Sequence, residues 1–189
     1  MKRLVLVAAI SAALSTATAS AAETYMLDSR HTFPSFEVNH LGFSIQRGRF
    51  NRTTGKVTLD AAAKTGKVEI TIDAASVDTG LDKLEEHLRG EDFFHVAMFP
   101  TITFKSDRFA FEGGKVTRVT GDLTLLGVTR PVSLEATHFQ CGNHPISKKP
   151  LCGGDFAATL KRSDFGMKYA VPAVADDVTL RIQIEAFRD

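Results

Sequence analysis

The chain has 189 residues, with 23 Lys or Arg against 22 Asp or Glu, a formal net charge of +1 and 43% hydrophobic residues. Charges of both signs are interspersed and no basic run occurs, which excludes the electrostatic footprint of a nucleic-acid binder. Aromatic usage is lopsided, with 14 Phe, 2 Tyr and no Trp, so the interior should be rich in apolar area and poor in polar handles.

The first 22 residues read as a targeting segment rather than as part of the fold. Lys2 and Arg3 precede the apolar run Leu4 to Ile10, and small residues then continue to Ala22. Ser20 and Ala22 suit a cut before Glu23. The strongly apolar part is far shorter than the ~20 residues that a bilayer span requires, so a cleaved secretory signal over 1–22 is expected rather than an anchor. Residues 23–189 then form a single domain of ordinary size. Lys2 and Arg3 leave with the signal, so 21 basic residues face 22 acidic ones. No later segment is apolar for long enough to span a membrane. The mature protein is expected to be soluble, in the periplasm or secreted.

Beyond the signal, period-2 alternation dominates. Ser35–His40 places Phe36 and Val38 on one face, and Gly55–Asp60 does the same for Val57 and Leu59. Lys67–Asp73 is the cleanest strand, with Val68, Ile70 and Ile72 opposite Lys, Glu, Thr and Asp. The pattern then changes: Leu81, Leu84 and Leu88 fall at helical spacing between Asp78 and Gly90. Thr79 with Asp82 predicts a capping box, Arg89 lies late, and Gly90 is placed as the C-cap. A second short turn is expected over Asp92–Ala97, before Pro100. Strand patterns resume at Thr101–Lys105, Gly121–Leu125, Pro131–Glu135, Phe156–Arg162 and Val178–Glu185.

Asn51–Gly55, Lys64–Gly66, Glu112–Gly114 and Gly127–Pro131 read as connectors. Closely spaced strands with short connectors predict an antiparallel meander, not βαβ units. A sheet with one apolar face must close on itself or pair with another. About eight to ten strands suit a lipocalin-like barrel, with a two-sheet sandwich as the alternative. The expected class is all-β, with a short helical insertion near one end of the barrel.

Cys141 and Cys152 are the only two cysteines, and the segment between them carries Gly, Asn, Lys and two Pro. A disulfide pinning a surface loop is expected in an oxidising compartment. The spacing is not Cys-x-x-Cys, which disfavours a redox centre, and two thiols with His144 fall short of four zinc ligands. The six histidines, at 31, 40, 87, 95, 138 and 144, match no metal spacing. No nucleophile elbow, Walker loop, G-x-G-x-x-G or H-E-x-x-H occurs. No catalytic residue, metal or cofactor is therefore expected, although a triad assembled in space leaves no sequence trace. Asn51-Arg52-Thr53 matches a glycosylation sequon but reads first as a hairpin turn.

Several motifs, in order along 23–189, resemble the YceI-like family. They are His40–Ser44, Gly48–Phe50, Ser76–Thr79, His87–Phe94, Phe99–Phe104, Gly121–Val132 and Arg162–Met167. The resemblance implies an exported, lipocalin-like barrel whose cavity takes a long apolar chain. A polyisoprenoid such as a polyprenyl phosphate, a quinone tail or a fatty-acid derivative would serve, in a binder or carrier rather than an enzyme. The cysteine loop lies outside these motifs and resembles a variant found in part of the family.

The cavity candidates are the alternating apolar residues Phe36, Val38, Phe43, Ile45, Val57, Leu59, Val68, Ile70, Ile72, Ile102, Phe104, Leu123 and Leu125. Arg47, His87 and Arg89 are candidates for a polar head group at the barrel mouth, and Arg49 is equally ambiguous. Alternatively, Leu88, Phe93 and Phe94 plug the barrel end while Arg89 bonds helix-terminal carbonyls. The expected partner is a small-molecule lipid, with no nucleic acid; oligomeric state is left open. A barrel with a filled interior is the second reading, and a lipid-modifying enzyme the third.

Overall fold

The computed structural model describes residues 22–189, so the expected signal segment falls almost wholly outside the described residues. The strands are β1 (Glu23–Leu27), β2 (Phe33–His40), β3 (Ser44–Phe50), β4 (Thr53–Asp60), β5 (Thr65–Asp73), β6 (Val77–Asp78), β7 (Thr101–Glu112), β8 (Lys115–Leu125), β9 (Val128–Asn143), β10 (Pro150–Lys161) and β11 (Val174–Arg188). One helix, α1 (Asp82–Arg89), separates β6 from β7.

Eight of these strands, in the order β1-β4-β5-β7-β8-β9-β10-β11, pair with their neighbours, and β1 closes the ring against β11. All the pairings are antiparallel. The sheet therefore closes as a barrel and not as a sandwich, which removes its free edges. β11 is long enough to take two partners on one side. Ala186–Arg188 pair with β1, whereas residues 174–183 pair with β2. From β2 the sheet continues through β3 to β6 as a flap beside the closed ring.

The β4–β5, β7–β8 and β9–β10 hairpins turn at one end, here called the distal end. The tip of the β2–β3 hairpin, α1, the β8–β9 turn and the β10–β11 loop occupy the other, here called the helical end. Two expected connectors, Asn51–Gly55 and Gly127–Pro131, resolve differently. Asn51 is a step from flap to barrel and not a hairpin, because β3 and β4 do not pair; its side chain donates to Asp78 at 2.7 Å. The β8–β9 connector is only Leu126–Gly127, both with positive φ (52° and 72°), as a tight two-residue turn requires. Pro131 lies within β9 opposite Asp122, in a stretch that has no β10 neighbour. A strand tolerates proline there because no ladder bond is lost on the open side.

The helix also starts differently from the expected capping box. Leu81 occupies the N-cap position without a side-chain cap. The Thr79 backbone N–H instead donates to the Glu85 carboxylate at 2.9 Å, one turn further along than the sequence pattern placed its partner. Gly90 caps the other end in an extended conformation, its N–H donating to the His87 carbonyl.

Cys141 and Cys152 are joined by a disulfide, directly opposite one another on β9 and β10. The bridge sits at the base of the connecting loop and clamps two strands already in register. Reducing it, or replacing both cysteines with serine, should lower unfolding stability by about 2–3 kcal/mol. Urea titration with and without reductant checks this. The far-ultraviolet spectrum of the native state should not change, since the strand ladder persists without the bridge.

Candidate functional site

Inward side chains of the barrel strands enclose a chamber of about 240 Å³. A single water needs roughly 10–15 Å³ of such space, so on the order of a dozen or more methylene-sized groups fit. No polar atom contributes surface to the wall. The reason is the strand alternation: on β5, Val68, Ile70 and Ile72 turn inward while Lys67 and Glu69 pair with one another outside.

Of the sequence candidates, Phe36, Val38, Val57, Leu59, Val68, Ile70, Ile72, Ile102, Phe104, Leu123 and Leu125 all line this chamber. Phe43 and Ile45 do not, and this corrects the expectation. Phe43 is 90% exposed at the β2–β3 tip, and Ile45 is 41% exposed on β3. Ile45 sits opposite Asn39 and so takes the hairpin face turned away from Phe36 and Val38, and Phe43 lies in the turn between β2 and β3. The later strands complete the wall with residues not singled out from the sequence, among them Val119, Leu134, Phe156, Leu180 and Ile182. Their signal was the same alternation, carried further along β8 to β11.

Two glycines keep the chamber open. A Cβ on Gly121 would lie 2.4 Å from the Phe104 ring, and one on Gly48 the same distance from the Phe36 ring. Both rings therefore lie against bare backbone instead of standing into the space. At the helical end, Phe36, Phe50 and Phe94 pack with ring centroids 5.2–6.2 Å apart, and Leu88 is buried beside them in the same wall.

None of the three head-group candidates lines the chamber. Arg47 pairs with Glu37 at 2.9 Å on the outside of the flap. His87 meets Asp92 at 3.0 Å and packs edge-on against Phe93 and Tyr169. Arg89 donates to the carbonyls of Ala75 and Val77 at 2.9 and 3.0 Å and pairs with Glu85. These carbonyls belong to the segment before α1, not to the helix terminus, so Arg89 braces the helix against β6. Arg49 lies over the Phe33 ring at 4.6 Å.

Sequence reasoning missed the residues with polar groups in the wall, which are Tyr25, Thr32, Ser35, Thr53 and Arg162. Arg162 is 3% exposed, and its guanidinium donates to the carbonyls of Ala175 and Val174, both at 2.9 Å, and of Met167 at 3.4 Å. Only its carbon stem can face the apolar space. Burial pushes its pKa below the ordinary arginine value, with the Asp176 charge opposing. Thr53 is fully buried at the start of β4, and its hydroxyl has no hydrogen-bond partner. The signal for Arg162 was an arginine ending an apolar strand, within a motif already noted. Thr53 offered none. Among the described residues, no cluster of His, Cys, Asp and Glu is arranged to hold a metal, and no helix is long and apolar enough to cross a membrane.

Comparison with known proteins gives a consistent picture. The family described as YceI-like domain matches residues 25–186. A UPF0312 protein of Pseudomonas paraeruginosa is 37% identical over 191 aligned positions, covering 100% of this chain and 99% of that protein. The crystal structure of Burkholderia cenocepacia BcnA superposes with a TM-score of 0.71 at 27% identity, covering 85% of this chain and 99% of that one. A polyisoprenoid binding domain from Saccharophagus degradans, implicated in plant cell wall breakdown, shares the fold with a TM-score of 0.66 at 17% identity, covering 87% and 98% of the respective chains.

Proposed function

The chain belongs to the YceI-like family, and on that premise we propose that its barrel binds one long apolar chain and carries it as cargo. The observation that carries this reading is the wall: about 240 Å³ enclosed by the barrel, with no polar surface. Burial stabilises a hydrocarbon by roughly 0.8 kcal/mol per methylene. A tail of a dozen carbons thus gains far more than the about 0–1 kcal/mol of one exposed ion pair, although ordering the tail opposes part of the gain. A polyisoprenoid, the ligand class in the name of the S. degradans domain, suits such a wall because its repeating unit is hydrocarbon throughout. A quinone tail or a fatty-acyl chain satisfies the same chemistry.

The carrier reading is also favoured over catalysis. Of the ionisable side chains in the wall, Arg162 is held by backbone carbonyls and Tyr25 donates its hydroxyl to the Glu23 carboxylate, so both are engaged in the fold itself. Mass spectrometry of organic extracts from the natively purified protein tests the proposal, with about one equivalent of long-chain lipid expected. A folded protein that yields none overturns it in favour of a filled structural barrel. Export is part of the same proposal and rests on the targeting pattern of residues 1–22. N-terminal sequencing of periplasmic protein should begin near Glu23, and an intact Met1 would contradict export.

A further inference from the structure

Seven of the nine large hydrophobic side chains exposed among the described residues lie at the helical end, and that asymmetry gives the barrel a direction. Five of them, Leu41, Phe43, Ile45, Tyr169 and Val171, belong to just two neighbouring segments, the β2–β3 tip and the 168–173 loop. The segments are tied together: the Leu41 N–H donates to the Ala173 carbonyl at 3.0 Å, and His40 pairs with Val174. Tyr169 packs on Phe93 with ring centroids 5.5 Å apart. Val38, Phe93 and Val174 line the chamber, so this exposed rim runs directly on from the chamber wall.

Charge points the same way. No Asp or Glu occurs from residue 38 to 59 or from 165 to 175, whereas Lys168, His40, Arg47 and Arg49 do, the two arginines meeting Glu37 and Asp78 beyond the rim. The acids of this end lie to the sides of the rim: Asp82, Glu85, Glu86, Glu91 and Asp92 on α1 and the turn after it, and Asp164, Asp176 and Asp177 flanking the 168–173 loop.

We propose that this rim docks on the surface of an anionic lipid bilayer, with Phe43 at the β2–β3 tip entering the head-group region. Exposed apolar patches of this kind mark interaction surfaces, and aromatic side chains favour the membrane–water interface. Basic residues among them are drawn to anionic head groups. A second copy of the chain is a poorer occupant, because a projecting tip and one loop present few residues for the roughly 800 Å² per partner that a stable interface buries. The inference goes beyond the carrier reading and does not depend on a filled chamber.

The absence of tryptophan supplies the experiment. Phe43→Trp places a single reporter on the rim, and Ile146→Trp, at an 87% exposed site of the β9–β10 loop, places one at the distal end. Both sites are exposed, so both variants should fold. With vesicles of equal parts phosphatidylcholine and phosphatidylglycerol, the Phe43→Trp emission should shift to shorter wavelength and become shielded from iodide, while Ile146→Trp is unchanged. In flotation assays Phe43→Ser should bind these vesicles roughly tenfold or more weakly than the unsubstituted protein, from the lost burial of one phenyl ring.

No shift with vesicles, or equal shifts at both positions, overturns the proposal. So does a shift without lipid that tracks dimer formation in sedimentation velocity, which would identify a second copy as the occupant. Extracted protein that still docks while no lipid is ever found in the chamber would sink the carrier reading and leave this one standing.

Discussion

Replacing Ile70 or Leu123 with tryptophan should abolish lipid co-purification while the barrel still folds. Both side chains point into the chamber, from β5 and β8 on either side of Phe104 on β7. An indole at either position takes up much of a space of about 240 Å³. Overpacking of this kind costs typically 1–3 kcal/mol when no space is free, and here the space is free only if no ligand holds it. Each methylene displaced removes roughly 0.8 kcal/mol of binding, so losing a few carbons' worth of room weakens binding by orders of magnitude. Arg89→Ala supplies the contrast. It should lower stability through the unpaired carbonyls of Ala75 and Val77 and leave the lipid-to-protein ratio unchanged. Normal lipid content in both tryptophan variants, with loss in Arg89→Ala, would mean that the ligand lies elsewhere.

The largest effect on stability is expected at Arg162. Arg162→Met keeps the apolar stem that faces the chamber and removes the guanidinium that satisfies three backbone carbonyls between Met167 and Ala175. A buried acceptor left without its donor costs about 1–3 kcal/mol. Two well-aligned bonds and one longer bond therefore amount to roughly 2–5 kcal/mol. In a domain of this size that corresponds to a melting point lower by about 5–15 °C. The same variant should retain its lipid at temperatures where it stays folded. A change below about 0.5 kcal/mol, the size of an ordinary surface substitution, would show that Arg162 is not the clasp of the β10–β11 loop.

The sequence displayed the closed barrel because alternation is a local property: a strand with one apolar face shows it within six residues, as Lys67–Asp73 does. What alternation cannot display is where the interior stops. Phe36 and Val38 lie inside, but the pattern on one strand does not fix the register of the next: Ile45 sits opposite Asn39 and takes the outer face, and Phe43 falls in the turn. β1, β3 and β6 were not foreseen. β1 and β6 are short, with five and two residues, and β3 carries two arginines and a glycine among its seven. The polar residues were harder still. Arg89 and His87 looked like mouth residues from their positions beside apolar neighbours, yet which carbonyl or carboxylate each meets depends on tertiary distance. Arg162 and Thr53 enter the wall through the ends of strands, where the two-residue period gives way to a turn.

The seam that joins Tyr25–Leu27 to Ala186–Arg188 unites the first and last strands of the domain. A chain emerging amino end first cannot complete its ring until β11 has left the machinery that makes it. Until then β1 lacks its β11 neighbour, and unpaired edges are sites where foreign strands attach. Contacts across so long a stretch of chain are also the slowest to form. Loss of residues 185–189 is thus not a minor trimming: it takes β1's partner away and reopens the whole circumference, so a nascent chain stalled before Ala186 is an open sheet and not a vessel.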